Sequence, residues 1–488
     1  MRMNAPRTHL FARIIAAGVA VVLLSGCAET LMPTPVGFDK SGGNPFVETP
    51  PSMQSTSLSV LVAADRKPAI HDVTRGDPPS QSGVDFFTNE RDTSMQFGRA
   101  TIEFAAHEPG WDYLVKESRT EDRRSDPILK MTRYEPFGSV WVGMPPLDET
   151  PPEAEEAAIT AFAEAVNAGL SVSHSKDIYV FIHGFNTSFV DNMTLGAEMF
   201  HYLGRDGVFI NYGWPSQDSL FDYSADKSTA SYSTRPFRLL LTRLAKRSNV
   251  ERIHILAHSA GAPIAVEALR QLRLMHFSEP TAATRTRYKI GRLVLVAPDM
   301  DLGDFGNAVA DGATAVPERT TIYISSHDKA LDISAWMGGF ARLGQPMSVL
   351  TPKNIAFLGA QEGVDIVDVF LAERMFGSWL GHSYFHDDPW VSTDVLLTLK
   401  HGLLPDARGL VRDPKESVFI FPADYPAKAA AAALRVCQPA PAVAPAVAPD
   451  VAPAVAPAVT PAVAPAANSA VAPPAADKSA AAFNPEVR

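Results

Sequence analysis

The stretch Leu256-Ala257-His258-Ser259-Ala260-Gly261-Ala262-Pro263 sets a serine among small residues, straight after an apolar run and straight before a helix-length amphipathic one. A sharp strand-to-helix turn crowds the positions two before and two after its serine, here Ala257 and Gly261, and lifts the hydroxyl clear of the backbone. Such a serine becomes a nucleophile only with a base and an orienting acid, which in this topology follow in the order Ser, Asp or Glu, His. The run Thr321 to Ser325 leads to Asp328, and Gly381-His382-Ser383-Tyr384 offers a histidine in a Gly/Ser loop. His382 would take the Ser259 proton, and Asp328 would hold the imidazole tautomer and stabilise its charged form. Asp299 and Asp301, after the preceding strand, stand as alternative acids. His258 and His327 should point away if their neighbours point inward. A tetrahedral oxyanion needs two backbone N–H donors. Ala260 would give one; the other would come from His183-Gly184-Phe185-Asn186, with Phe185 the first candidate and Asn186 the second.

These residues need a frame that brings them together. Apolar runs at Ile178–Ile182, Val208–Ile210, Ile253–Ala257, Leu293–Ala297, Thr321–Ile324 and Asp365–Phe370 alternate with amphipathic stretches such as Phe189–Leu203, Phe237–Lys246 and Pro263–Leu274. Short apolar strands bounded by helices require a mostly parallel sheet covered on both faces, an α/β domain over residues 176–436. Residues 84–175 read as a strand-rich N-terminal extension, with strands at Val84–Thr88, Arg99–Phe104 and Gly138–Val142 and a helix over Glu153–Ala168.

The two ends read differently. Arg2, Arg7 and Arg13 precede the apolar run Ile14–Leu24 and then Leu24-Ser25-Gly26-Cys27, the order of a secretory signal over residues 1–26. Leu-Ser-Gly-Cys resembles the bacterial lipoprotein lipobox, which implies acyl chains on Cys27 and a place in the cell envelope, on the periplasmic face of the outer membrane given Ala28. Residues 27–83 are rich in Pro and Gly and read as a linker running into an edge strand at Leu58–Ala63. Of the 40 prolines, 11 fall between Gln438 and Arg488, where Ala-Val-Ala-Pro recurs, so 437–488 reads as a disordered, extended tail. That tail could reach a cell-envelope partner. Loss of residues 1–26 moves the formal charge from −11 to −14, a balance unsuited to nucleic acid. The mature chain keeps one further cysteine, Cys437, free or in an intermolecular disulfide.

His183-Gly184-Phe185-Asn186, Gly213-Trp214-Pro215-Ser216, Leu256 to Gly261, Ala297-Pro298-Asp299, Ser326 to Leu331 and Gly381-His382-Ser383 together resemble the bacterial α/β-hydrolase family catalogued as domain of unknown function 900. Ala260 stands where members usually have Met, a departure of little weight if that residue contributes only its N–H. The resemblance implies a lipase- or esterase-like fold. The chemistry expected is acyl transfer from a small ester or lipid to water through a serine-bound intermediate, with no cofactor and no metal. The other class of reading is a non-catalytic envelope scaffold. Trp214, Phe221, Tyr223 and Tyr232 could wall an acyl pocket or simply pack the loop that carries them.

Overall fold

The computed structural model describes residues 29–69, 86–143, 152–217, 223–325, 328–338, 340–345, 352–370, 372, 381–413 and 418–438. Residues 1–26 and Cys27, the tail beyond 438, Phe221 and His327 lie outside the described residues.

One eleven-stranded sheet organises the chain. Its strands are β1 (Ser57–Pro68), β2 (Phe87–Ala105), β3 (Ile128–Trp141), β4 (Asp177–Ile182), β5 (Val208–Gly213), β6 (Arg252–His258), β7 (Ile290–Val296), β8 (Arg319–Ile324), β9 (Val364–Asp368), β10 (Val411–Arg412) and β11 (Phe419–Ile420). They lie in the order β10-β11-β9-β8-β7-β6-β4-β5-β1-β2-β3. From β9 to β1 every neighbouring pair is parallel, while β2 and β3 add antiparallel hairpin strands at one edge. The all-buried patterns of β4 and β5 are what a sheet covered on both faces demands. The helices Pro152–Val172, Tyr223–Arg247 and Ala262–Leu274 pack with Val180, Ile210 and Ile255 into one core layer. Phe189–Tyr202, Pro389–His401 and Tyr425–Val436 pack with Phe181, Phe209 and Leu256 into the other. This is the α/β-hydrolase fold.

Two expectations fail on the N-terminal side. The segment after residue 29 is a packed strap rather than a linker: Leu31, Met32, Phe38 and Phe46 are buried in the second core layer. Backbone contacts from Leu31 to Pro127 and from Val36 to Pro389 tie it down. Its prolines shape a fixed path, and turn-rich composition alone cannot separate a path from a tether. Likewise β1 is an interior strand, held by β5 on one side and β2 on the other. The N-terminal extension is thus continuous with the hydrolase sheet. β2 is one long strand with irregular register, which is why its polar first half escaped a reading based on alternation.

Candidate active site

β6 stops at His258, and the next three residues form a single tight turn, Ser259–Gly261, before the helix Ala262–Leu274. Ser259 takes φ 51°, a left-handed backbone that costs a non-glycine residue on the order of 1–2 kcal/mol. Gly261 is required by contact. A Cβ there would sit 2.5 Å from the His183 carbonyl oxygen and 2.8 Å from that of Ile182. The loop after β4 therefore presses directly on the turn. At Gly184 a Cβ would meet the Ser259 Cβ at 3.0 Å and the His258 ring at 2.8 Å, so only glycine lets that backbone pass the serine so closely. Phe185 and Asn186, the latter at φ 52°, continue the same loop into the helix Phe189–Tyr202, whose Ser188 and Asp191 form a capping box.

The structure joins the three residues singled out for nucleophilic chemistry. Ser259 Oγ lies 2.7 Å from His382 Nε2, and His382 Nδ1 lies 2.6 Å from Asp328 Oδ2. With Nδ1–H donating to the carboxylate, Nε2 is left to accept the serine proton. The other oxygen of Asp328 accepts the Leu331 N–H at 3.0 Å, which fixes the carboxylate plane. The alternative acids are engaged elsewhere. Asp299 Oδ1 accepts from Ser334 Oγ at 2.6 Å and faces Arg342 Nε at 3.3 Å, and Asp301 caps the helix Leu302–Ala310. The Asp299 backbone still serves the site, its N–H donating to the Ser259 carbonyl at 3.1 Å.

Two groups that the sequence did not single out as positioning hold the His382 loop. His258 is half-buried, and its Nε2–H donates to the His382 carbonyl at 3.0 Å. Burial, with the neighbouring His382 next, pushes its pKa well below the ordinary histidine value, so it stays a neutral donor. Tyr384 donates its hydroxyl to the Tyr323 carbonyl and accepts the Ala297 N–H, pinning the loop to the ends of β7 and β8. Behind the glycine loop, fully buried Arg66 reaches the carbonyls of Trp214 (2.9 Å) and Thr187 (2.7 Å), and its other Nη meets Asn89. The signal in sequence was a charged pair, Asp65-Arg66, directly after an apolar run, where solvent exposure would be the ordinary expectation.

Trp214 packs the loop rather than walling a pocket. It is fully buried, stacks on His183 with ring planes 12° apart, and donates its indole N–H to the His183 carbonyl at 2.8 Å. Tyr232 is likewise drawn away, its hydroxyl bonding the Asp92 carbonyl at 2.6 Å. Cys437 is a free thiol 3.7 Å from His401 Nε2, and burial pushes its pKa up to about 12, which leaves little thiolate at neutral pH. No helix among the described residues is long and apolar enough to cross a membrane.

Residues 158–399 match a family described as alpha/beta hydrolase of unknown function. An uncharacterized protein of Nostoc sp. is 24% identical over an alignment of 151 residues that covers 26% of this chain. The chain spans 39% of that relative's length. Among solved structures, esterase B from Lactobacillus rhamnosis is similar at 12% identity, covering 38% of this chain and 75% of its own, with a TM-score of 0.22. A predicted CIB-like hydrolase from Thermoplasma acidophilum is similar at 14% identity over 46% of this chain and 86% of its own, with a TM-score of 0.24. Likenesses at these scores say nothing of this chain's substrate.

Proposed function

From residues 158–399, which belong to the alpha/beta hydrolases of unknown function, we propose that this chain is a serine hydrolase acting on carboxylic esters. The unbroken hydrogen-bonded row Ser259–His382–Asp328 carries the reading. Ser259 Oγ attacks the ester carbonyl while His382 Nε2 takes its proton, and Asp328 holds the imidazolium that forms. The oxyanion is received by the N–H groups of Ala260 and Phe185, the first in the tight turn Ser259–Gly261 and the second on the loop that Gly184 brings against the serine. His382 then protonates the leaving alcohol. Water, deprotonated by the same nitrogen, releases the acid from the serine ester.

The place of action follows from the lipobox-like Leu24-Ser25-Gly26-Cys27. Acylated at Cys27, the chain is held on the membrane in the cell envelope, at the periplasmic face of the outer membrane, and its substrates are small esters or lipids of the envelope. The tail after 437 would reach towards an envelope partner.

A fluorophosphonate probe tests the reaction. Wild type becomes covalently labelled and Ser259→Ala does not, with short p-nitrophenyl esters hydrolysed in parallel. An unlabelled wild type without hydrolysis would sink the enzyme and leave an envelope scaffold. Release of a diacylglyceryl-modified peptide starting at Cys27, seen by mass spectrometry, tests the anchor separately.

A further inference from the structure

The chain as a whole is acidic, but its charge is unevenly laid out. Between Arg235 and Arg292 it carries 12 Lys and Arg against 3 Glu. The fold gathers part of this excess around the far end of the helix Ala262–Leu274, whose 13 residues put Leu274 about 20 Å from the serine turn. There the surface is also apolar. Leu274, Met275 and Phe277 are 41%, 58% and 65% exposed, three large side chains in four positions. Scattered exposed apolar residues need no explanation, but a contiguous group does.

Two arginines touch that group. Arg238 Nη1 reaches Met275 Sδ at 2.8 Å, and the Arg273 guanidinium sits 5.5 Å from the Phe277 ring centroid. Arg235 lies one turn from Arg238 on the helix Tyr223–Arg247, and Arg285 is exposed on the helix Thr281–Tyr288. Nearby carboxylates are already engaged: Glu279 with Arg287 and His276, and Glu267 and Asp311 with Arg270. What remains is net positive charge around protruding apolar tips. A soluble acidic partner would complement the charge but leave the apolar tips without a reason. Anionic lipid satisfies both, because arginines pair with phosphates at the level where apolar side chains enter the headgroup region.

We propose that this face is a docking surface for an anionic phospholipid bilayer, with Met275 and Phe277 entering the headgroup layer and Arg235, Arg238, Arg273 and Arg285 pairing with lipid phosphates. The strap joins the sheet at the same end: Leu129 N–H donates to the Glu29 carbonyl at the start of β3, which pairs with the end of β2. Docked this way, the chain turns Ser259 away from the bilayer that holds it, and its esters arrive from the opposite side. That last consequence rests on the hydrolase reading; the docking itself does not.

The test uses the full chain carrying Cys27→Ser, so that no acyl group contributes, and vesicles of phosphatidylcholine and phosphatidylglycerol in a ratio of about two to one. Each arginine near such a surface is worth about fivefold in partitioning, so Arg235→Gln, Arg238→Gln and Arg285→Gln together weaken sedimentation with vesicles about a hundredfold. Met275→Ser with Phe277→Ser weakens it about tenfold, and pure phosphatidylcholine vesicles separate none of the variants. Equal partitioning of parent and variants on the mixed vesicles would overturn the proposal. So would an apolar pair of substitutions without effect alongside full competition by soluble polyphosphate, which would mark a polyanion site instead. Fluorophosphonate labelling at the parent's rate certifies that each variant is folded. If the parent itself goes unlabelled, the hydrolase reading fails while the vesicle result stands on its own.

Discussion

At the carboxyl ends of the parallel strands, Asn186, Ser259 and Ala297 follow β4, β6 and β7 with φ of 52°, 51° and 46°. At the amino ends, Arg205 and Lys289 also have positive φ, but there they follow the helices Phe189–Tyr202 and Thr281–Tyr288, where a left-handed residue is the ordinary way to stop a helix. The same backbone conformation is a routine terminus at one end and a strained departure from a strand at the other. Charges divide in parallel. At the amino ends they pair: Asp177 receives Arg252 at 3.2 Å and His254 at 3.3 Å, and Asp206 holds Lys400. At the carboxyl ends Asp299 also faces Arg342, while a serine and a half-open histidine are held ready by Asp328, His258 and Tyr384. The strain at the end that does the chemistry is held in place by the hydrogen bonds and packing around it.

Substitution of the two acids near the serine gives the widest separation. Asp328→Asn should lower turnover by about four orders of magnitude, because the amide no longer fixes the His382 tautomer. Asp299→Asn should cost about tenfold or less in turnover, since its carboxylate serves Ser334 and Arg342 while its backbone N–H, which supports Ser259, is retained. Steady-state kinetics on a p-nitrophenyl ester decides, and a reversed ranking would move the acid to Asp299. At the amino end the pattern inverts. Asp177→Ala leaves His254 and Arg252 without their carboxylate and should cost about 3–4 kcal/mol of stability in chemical denaturation. Its turnover should match wild type below the transition, and a turnover loss without destabilisation would deny that the two ends have separate tasks.

What could be read from sequence divides along the same line. The strands that place Ser259 and Asp328 are short and end in apolar runs, Ile255–Ala257 and Ile322–Ile324, so β6 and β8 were legible nearly to their ends, and the serine, acid and histidine followed from fold order. The helix Tyr223–Arg247 was recognised only from Phe237, because its first turns are polar and Pro236 sits inside it. The strap from residue 29 was misread because its apolar residues are spaced by the path it takes over the helices, with no period of its own. Arg66, His258 and Tyr384 had no positioning role readable in advance. Each acts through a backbone carbonyl or N–H of a residue distant in sequence, and such a partner leaves no mark on the side-chain pattern.

Two buried carboxyls offer the finest division between the ends, because they respond to pH with opposite signs. Asp65, at the carboxyl end of β1, is pushed up to about 6 by burial, which outweighs its hydrogen bonds, including the one from Ser233 Oγ at 2.6 Å, and the charge of Arg66. Burial also pushes Asp177 upward, but the His254 hydrogen bond and the charge of Arg252 prevail and bring it to about 2. A raised carboxyl binds its proton more tightly in the folded chain. The contribution of Asp65 is therefore complete below about pH 4 and is lost as pH rises through about 6. That of Asp177 is present above about pH 4 and is lost as pH falls through about 2. Of these two, only Asp65 changes between pH 4 and 6, by on the order of 2–3 kcal/mol for a shift of about two pH units. The difference in unfolding free energy between wild type and Asp65→Asn, followed across that window so that the titration of histidines common to both cancels, should therefore move in favour of the variant as pH rises. A difference that stays constant would mean that Asp65 is ionised in the folded chain throughout, and that the carboxyl end is as fully paired as the amino end.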